Sequence, residues 1–156
     1  LRANPIEDVA YEKKEPLKLR HISRGELKRM METPLPDPMM ELARRTFIFS
    51  SLTGLAYADT RALHPRHIGK TSEGRKYIRV CRAKTDVEAF IPLHPIAEQI
   101  LELYNTTDDD RPVFPLPVRD VLWYEVHGMG VALGMKENLS YHQRRHNKNC
   151  IFQAMR

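Results

Sequence analysis

Pro38-Met-Met-Glu-Leu-Ala-Arg-Arg-Thr-Phe-Ile-Phe-Ser-Ser-Leu-Thr-Gly-Leu-Ala-Tyr-Ala-Asp59 decides how the rest of the chain is read. Leu42, Phe49 and Leu52, with Met39 and Ile48 alongside, form a wide apolar stripe at helical spacing, so the segment from Pro38 to about Thr53 is expected to be the core helix. Both of its ends are marked. Asp37 offers a side-chain acceptor to the free backbone donors of the first turn, and Pro38 occupies a position where no donor is needed. Gly54 can take the left-handed conformation that closes the helix. A further helical turn over Tyr57 to Leu63 stops before Pro65.

Upstream, Thr33-Pro-Leu-Pro-Asp-Pro38 separates this helix from a shorter one through Leu27 and Met31, which Ser23 and Glu26 begin with the spacing of a capping box. Residues 1–20 carry Pro5, Pro16 and the charged run Glu12-Lys-Lys-Glu15 without a sustained period, and read as a linker or the tail of a preceding module. Downstream the period changes. Lys76-Tyr-Ile-Arg-Val-Cys81 and Val87-Glu-Ala-Phe-Ile91 are β-rich around the polar stretch Arg82 to Asp86, which predicts an antiparallel hairpin. Helical patterns return at Pro95 to Leu103 and at Arg119 to Leu133, separated by the acidic, then proline-rich loop Thr106 to Pro117. Gly128 and Gly130 weaken the second of these helices by about 1 kcal/mol each relative to alanine, and Gly134 is its expected stop. A last helix is expected from Tyr141 onward, capped by Ser140. The fold class is α+β, mainly α-helical with a small antiparallel β-hairpin or sheet, in one domain over residues 21–156.

With 156 residues, 42% of them hydrophobic, one compact domain is the expectation. No run reaches the roughly 18 apolar residues of a membrane span, and no secretory signal opens the chain, so a cytoplasmic protein without a membrane partner is expected. Cys81 and Cys150 lie far apart and outside any CxxC pair, which speaks for reduced thiols rather than a disulfide or thiolate zinc site. The 25 Lys and Arg exceed the 20 Asp and Glu only slightly, but they are segregated. Between Arg61 and Lys84 stand Arg66, Lys70, Arg75, Lys76, Arg79 and Arg82, with Glu73 the one acid; after Glu137 come Arg144, Arg145, Lys148 and Arg156 with none. Such a distribution suits either a solvated stripe or a polyanion-binding face, with Arg61, Arg66, Arg82 and Arg144 as candidate DNA contacts.

At the start of the expected last helix, His142-Gln-Arg-Arg-His146 places His142, Arg145 and His146 on one face. Three readings compete. His142 and His146 have zinc-ligand spacing, but Gln143 cannot act as a general base and two arginines would flank the metal. The set can instead be a solvated helix face, or it can surround a phosphodiester, with the arginine fork on two oxygens and the imidazole handling a proton.

The HxxRH pattern, following a Thr53-Gly54 segment and the hairpin Lys84, resembles the tyrosine recombinase (phage integrase) family. The resemblance covers roughly residues 20 to 150, and Arg45 to Asp59 is similar to the integrases of conjugative transposons. Asn4-Pro5 is similar to the linker between their core-binding and catalytic domains, and Lys84-Thr85 with Phe90-Ile-Pro-Leu93 to the family's hairpin lysine and following strand. The resemblance implies the recombinase catalytic-domain fold and site-specific recombination or integration of a mobile element through a 3′-phosphotyrosyl intermediate. It implies double-stranded DNA as partner, self-association into a tetrameric synapse, a bacterial nucleoid-associated location, and no cofactor or metal. By position it implies catalytic roles for Lys84, His142 and Arg145: His142 and Arg145 on the scissile phosphate, Lys84 protonating the leaving 5′ oxygen, Asp59 buttressing the site.

Three departures accompany it. The arginine expected in the first motif is Ala56, for which Arg61, following the same turn, is the first candidate substitute. Asn147-Lys-Asn-Cys150 replaces the small apolar helix usual after the second histidine of HxxRH. The chain reads as a fragment that stops before the family's nucleophilic tyrosine, since Tyr11, Tyr57, Tyr77, Tyr104 and Tyr124 all precede the HxxR pair and Tyr141 adjoins it. The fragment alone is therefore expected to be inactive, and a degenerate DNA-binding module is the alternative.

Overall fold

The computed structural model describes residues 24–135. Five helices, α1 (Arg24–Glu32), α2 (Pro38–Thr53), α3 (Tyr57–Arg61), α4 (Pro95–Glu102) and α5 (Arg119–Ala132), surround one core. A sheet of three strands, β1 (Ile68–Lys70), β2 (Lys76–Cys81) and β3 (Glu88–Pro92), lies between α3 and α4 in sequence. Its order is β1-β2-β3, antiparallel throughout. The architecture is mainly helical with a small antiparallel sheet, the α+β class expected from the sequence.

Helix α2 ends where its caps dictate. Asp37 Oδ1 accepts from the amides of Met39 (2.9 Å) and Met40 (3.0 Å), and Gly54, at φ 75°, donates its amide to Ser50 O. What the apolar stripe does not convey is how deep this helix lies. From Glu41 to Thr53 every residue except Arg45 is buried, including the fully enclosed Phe47, whereas Met39 from the expected stripe is exposed. The polar residues survive there because each has a partner. Hydroxyls of Thr46, Ser51 and Thr53 donate to the carbonyls of Leu42, Phe47 and Phe49, four residues back.

Glu41 and Arg44 solve the harder problem of buried charge. Glu41 accepts from Arg44 through both carboxylate oxygens, from the Leu35 amide at 2.9 Å and from Arg45 Nε at 3.1 Å. Arg44 Nη1 reaches the carbonyls of Met30 (3.0 Å) and Met31 (3.3 Å), so one guanidinium ties α2 to the last turn of α1. Arg45 turns the other way, over the ring of Tyr104. Tyr104 and Phe49 both meet Phe114 edge-on, at 5.2 and 4.9 Å between ring centroids, which anchors the proline-rich loop in the core.

Leu122, Val126, Met129 and Leu133 face inward from α5, and Gly128 carries the close approach to α2: a Cβ there would stand 3.0 Å from Met40 Cε. The glycine that weakens α5 locally thus lies against α2, where a side chain would have to displace the end of Met40. In the sheet, Ile68, Ile78 and Ile91 form one row across the three strands on the core side. Strand β1 was not foreseen, because three residues are too few to show alternation. Strand β3 runs one residue later than expected, leaving Val87 exposed in the turn.

Burial alone would raise the Glu41 carboxyl, but hydrogen bonds from Arg44 and Leu35 and the charges of Arg44 and Arg45 outweigh it and hold the group below its ordinary value. A carboxylate whose folded pKa is depressed adds stability above its unfolded pKa of about 4.3 and loses it as pH falls through the folded value. Glu41→Ala, which strands the buried Arg44, is therefore expected to cost about 3 kcal/mol at neutral pH and to flatten the acid limb below about pH 4.3 in chemical denaturation.

Candidate functional site

At its C-terminal end α2 stops, Gly54 turns the chain, and α3 begins at right about the level of the β2–β3 loop, as the contact of Asp59 with that loop shows. Asp59, buried on the first turn of α3, accepts from the Ala83 amide at 3.0 Å through Oδ1. That single bond fixes the loop against the helix. The loop closes on itself through Arg82 N to Val87 O (2.9 Å) and Asp86 N to Arg82 O (2.8 Å), with Asp86 in the left-handed region at φ 52°. An aspartate tolerates that backbone better than most residues, and its carboxylate also accepts from Cys81 Sγ at 3.2 Å.

Between these elements lies an open cavity of about 480 Å³, lined by Ser51, Gly54, Ala56 and Asp59 on one side and by Arg82, Lys84 and Thr85 of the loop on the other. Two cations thus face a wall that carries alanine at the position where the resemblance implies arginine. Lys84 is exposed and Arg82 half-buried, and among the described residues neither has an ion-pair partner. Unpaired cations at the edge of an open hollow are equipped to take phosphate oxygens.

Of the sequence-derived candidates, Lys84 and Arg82 meet in this cavity together with Asp59. Arg61 ends α3, is exposed, and is not among the lining residues, whereas Arg82 is. The signal for Arg82 in the sequence is its place in the basic run from Arg61 to Lys84, which marks it as a candidate DNA contact. Arg66 is held on Asp109 through its amide (2.9 Å) and its guanidinium (3.4 Å), away from the cavity lining. His142, Arg144 and Arg145 lie outside the described residues. None of Tyr57, Tyr77, Tyr104 and Tyr124 lines the cavity. Tyr57 donates to Pro117 O and Tyr104 accepts from Arg45, both packing roles. A second hollow of about 300 Å³, between α2 and α4, is largely apolar, and its cations Arg44 and Arg45 are committed to Glu41.

The fold is shared with site-specific recombinases. A solved structure of XerH site-specific recombinase bound to difH substrate, a pre-cleavage complex, matches with a TM-score of 0.60 and 19% identity over 81% of this chain and 41% of that one. XerA recombinase matches at 0.59 and 17%, over 82% and 48%, and the XerH post-cleavage complex with palindromic difH at 0.61 and 18%, over 87% and 42%. The chain therefore spans less than half the length of these structures. No protein-family model matches the sequence, and no curated protein does. Among the described residues no helix is long and apolar enough to cross a membrane, and no group of three side chains is arranged to hold a metal ion.

Asp59→Ala releases the Ala83 amide and is expected to cost about 1.5–3 kcal/mol, with hydrogen exchange at Ala83 accelerated ahead of global unfolding. Cys81 gives an independent check on the loop. Its hydrogen bond to Asp86, then slight burial and the charges of Asp86, Glu88 and Asp59, raise the thiol above its ordinary pKa. Asp86→Asn removes a charge while keeping a residue suited to the left-handed backbone, so alkylation of Cys81 by iodoacetamide at pH 8 is expected to speed up.

Proposed function

We propose that the protein carrying this chain is a tyrosine-type site-specific recombinase, acting in integration of a mobile element of the conjugative-transposon kind, and that these residues supply its phosphate-binding wall. The observation that carries the proposal is the convergence of Lys84 and Arg82 opposite Ala56, within a fold shared with recombinases, around a cavity open to solvent. In this reading the partner is double-stranded DNA, the acting form is a tetrameric synapse in the bacterial nucleoid, and no cofactor is needed.

The chemistry follows from the groups. A tyrosine oxygen attacks phosphorus in line, the P–O5′ bond breaks, and the 3′-phosphate is left on the tyrosine. Lys84 gives a proton to the departing 5′ oxygen. Arg82 neutralises the equatorial oxygens from the side where Ala56 offers only a methyl group, and the family resemblance assigns His142 and Arg145 to the scissile phosphate. The nucleophile is assigned to a tyrosine downstream of the HxxR pair in the full-length protein. Ala56 is the specific observation behind a second reading, a DNA-binding module without chemistry.

A nicked half-site that traps the covalent intermediate separates the two. With the full-length protein, a covalent protein–DNA adduct is expected to form, and Lys84→Ala or Arg82→Ala to slow it about 100- to 1,000-fold with binding largely retained. Arg61→Ala is expected to slow it less than about tenfold; a loss equal to that of Arg82→Ala would return the arginine role to Arg61. Binding without any adduct establishes the module.

A further inference from the structure

The face of the sheet turned away from the core is not an ordinary polar surface. Ile78 and Val80 point inward from β2, so Tyr77, Arg79 and Cys81 point outward, in line with Arg75 just before the strand. On β3 the outward residues are Glu88, Phe90 and Pro92. Tyr77 and Phe90 are diagonal neighbours with ring centroids 4.5 Å apart and planes tilted by 30°. The Tyr77 ring lies across Gly69 of β1, where any Cβ would collide with it. Phe90, by contrast, is 59% exposed, an aromatic ring left open on a folded surface.

Cations alternate with these rings. Arg75 is exposed and has no ion-pair partner among the described residues. Arg79 stands beside Phe90 in the register, paired with Glu88 on the same face, so the surface keeps a net positive charge. The same strand ends at Cys81, immediately before the loop that carries Arg82 and Lys84.

We infer that this face is a binding platform for single-stranded nucleic acid, with an unpaired base stacked on Phe90 and the backbone held by Arg75. The chemistry selects single over double strand. In a duplex each base is already stacked inside the helix and presents only an edge, so an open ring gains nothing from it. An unpaired base has a free face for the ring, and its phosphates suit the cations. This inference goes beyond the proposed recombination and does not require it, since it concerns binding alone.

The test measures binding of a fluorescent oligothymidylate and of a duplex of equal length by anisotropy, with the full-length protein. Phe90→Ala is expected to weaken the single strand about 5- to 150-fold, the range of one base–aromatic stack, and the duplex less than about twofold. Arg75→Gln is expected to lower the salt slope for the single strand by about 0.7, one phosphate contact. Thermal melting verifies that both variants fold. Lys84→Ala serves as the contrast: it is expected to lose the covalent adduct and keep oligothymidylate binding, so the failure of one idea is not the failure of the other. Equal single-strand binding by wild type and Phe90→Ala overturns the inference. So does a response of the Tyr77 and Phe90 ring signals to an acidic peptide but not to the oligonucleotide, which identifies a protein-docking face instead.

Discussion

Everything in the described fold answers to the burial of α2. A helix enclosed on all sides cannot use water for its polar groups, so each has to be satisfied from within or from a neighbour. The serines and threonines take the first course by bonding back along the helix, and Glu41 and Arg44 take the second. Because Arg44 reaches across to the carbonyls ending α1, satisfying its charge also sets the angle between the two helices. The same constraint acts at the other end of α2, where Gly54 lets the chain leave the core abruptly and places Ala56 and Asp59 at the surface opening. Core and site are consecutive turns of one segment.

The site is then a matter of one buried carboxylate. Asp59 lines the cavity but makes no ion pair among the described residues; its carboxylate accepts from a backbone amide of the β2–β3 loop. The loop in turn carries Arg82 and Lys84 on either side of the amide that Asp59 holds. A rigid helix thereby locates two flexible cations, which is how long side chains are made to act at a defined place.

The sequence made the helices legible because their ends are chemically marked: Asp37, Pro38 and Gly54 bound α2 to the residue, and Pro95 and Gly134 do similar service later. It made β2 and β3 legible through alternation, and hid β1, whose Ile68-Gly-Lys70 has no pattern of its own and exists only by pairing with β2. The depth of α2 was hidden for a different reason. Glu41 and Arg44, three residues apart, look like an ordinary surface pair, and only the packing shows them enclosed. For the site, Lys84 and Asp59 were legible through a motif, while Arg61 drew attention by nearness in sequence to Ala56. Arg82 lines the same cavity as Ala56 because the hairpin returns it there, and no local pattern carries that information. His142 and Arg145, the sharpest motif in the sequence, fall outside the described residues.

Arg29 Nη1 donates to the carbonyl of Leu133 at 3.0 Å, joining α1 to the end of α5 across 104 positions of sequence. A contact of that span repays the chain entropy of closing it only after the intervening elements are in place. It belongs to the end of folding rather than to its nucleus. A clasp that forms last contributes to how slowly the native state opens more than to how fast it is reached, so α1, already held by Met30 in the core and by Arg44, gains here a second hold that slows unfolding.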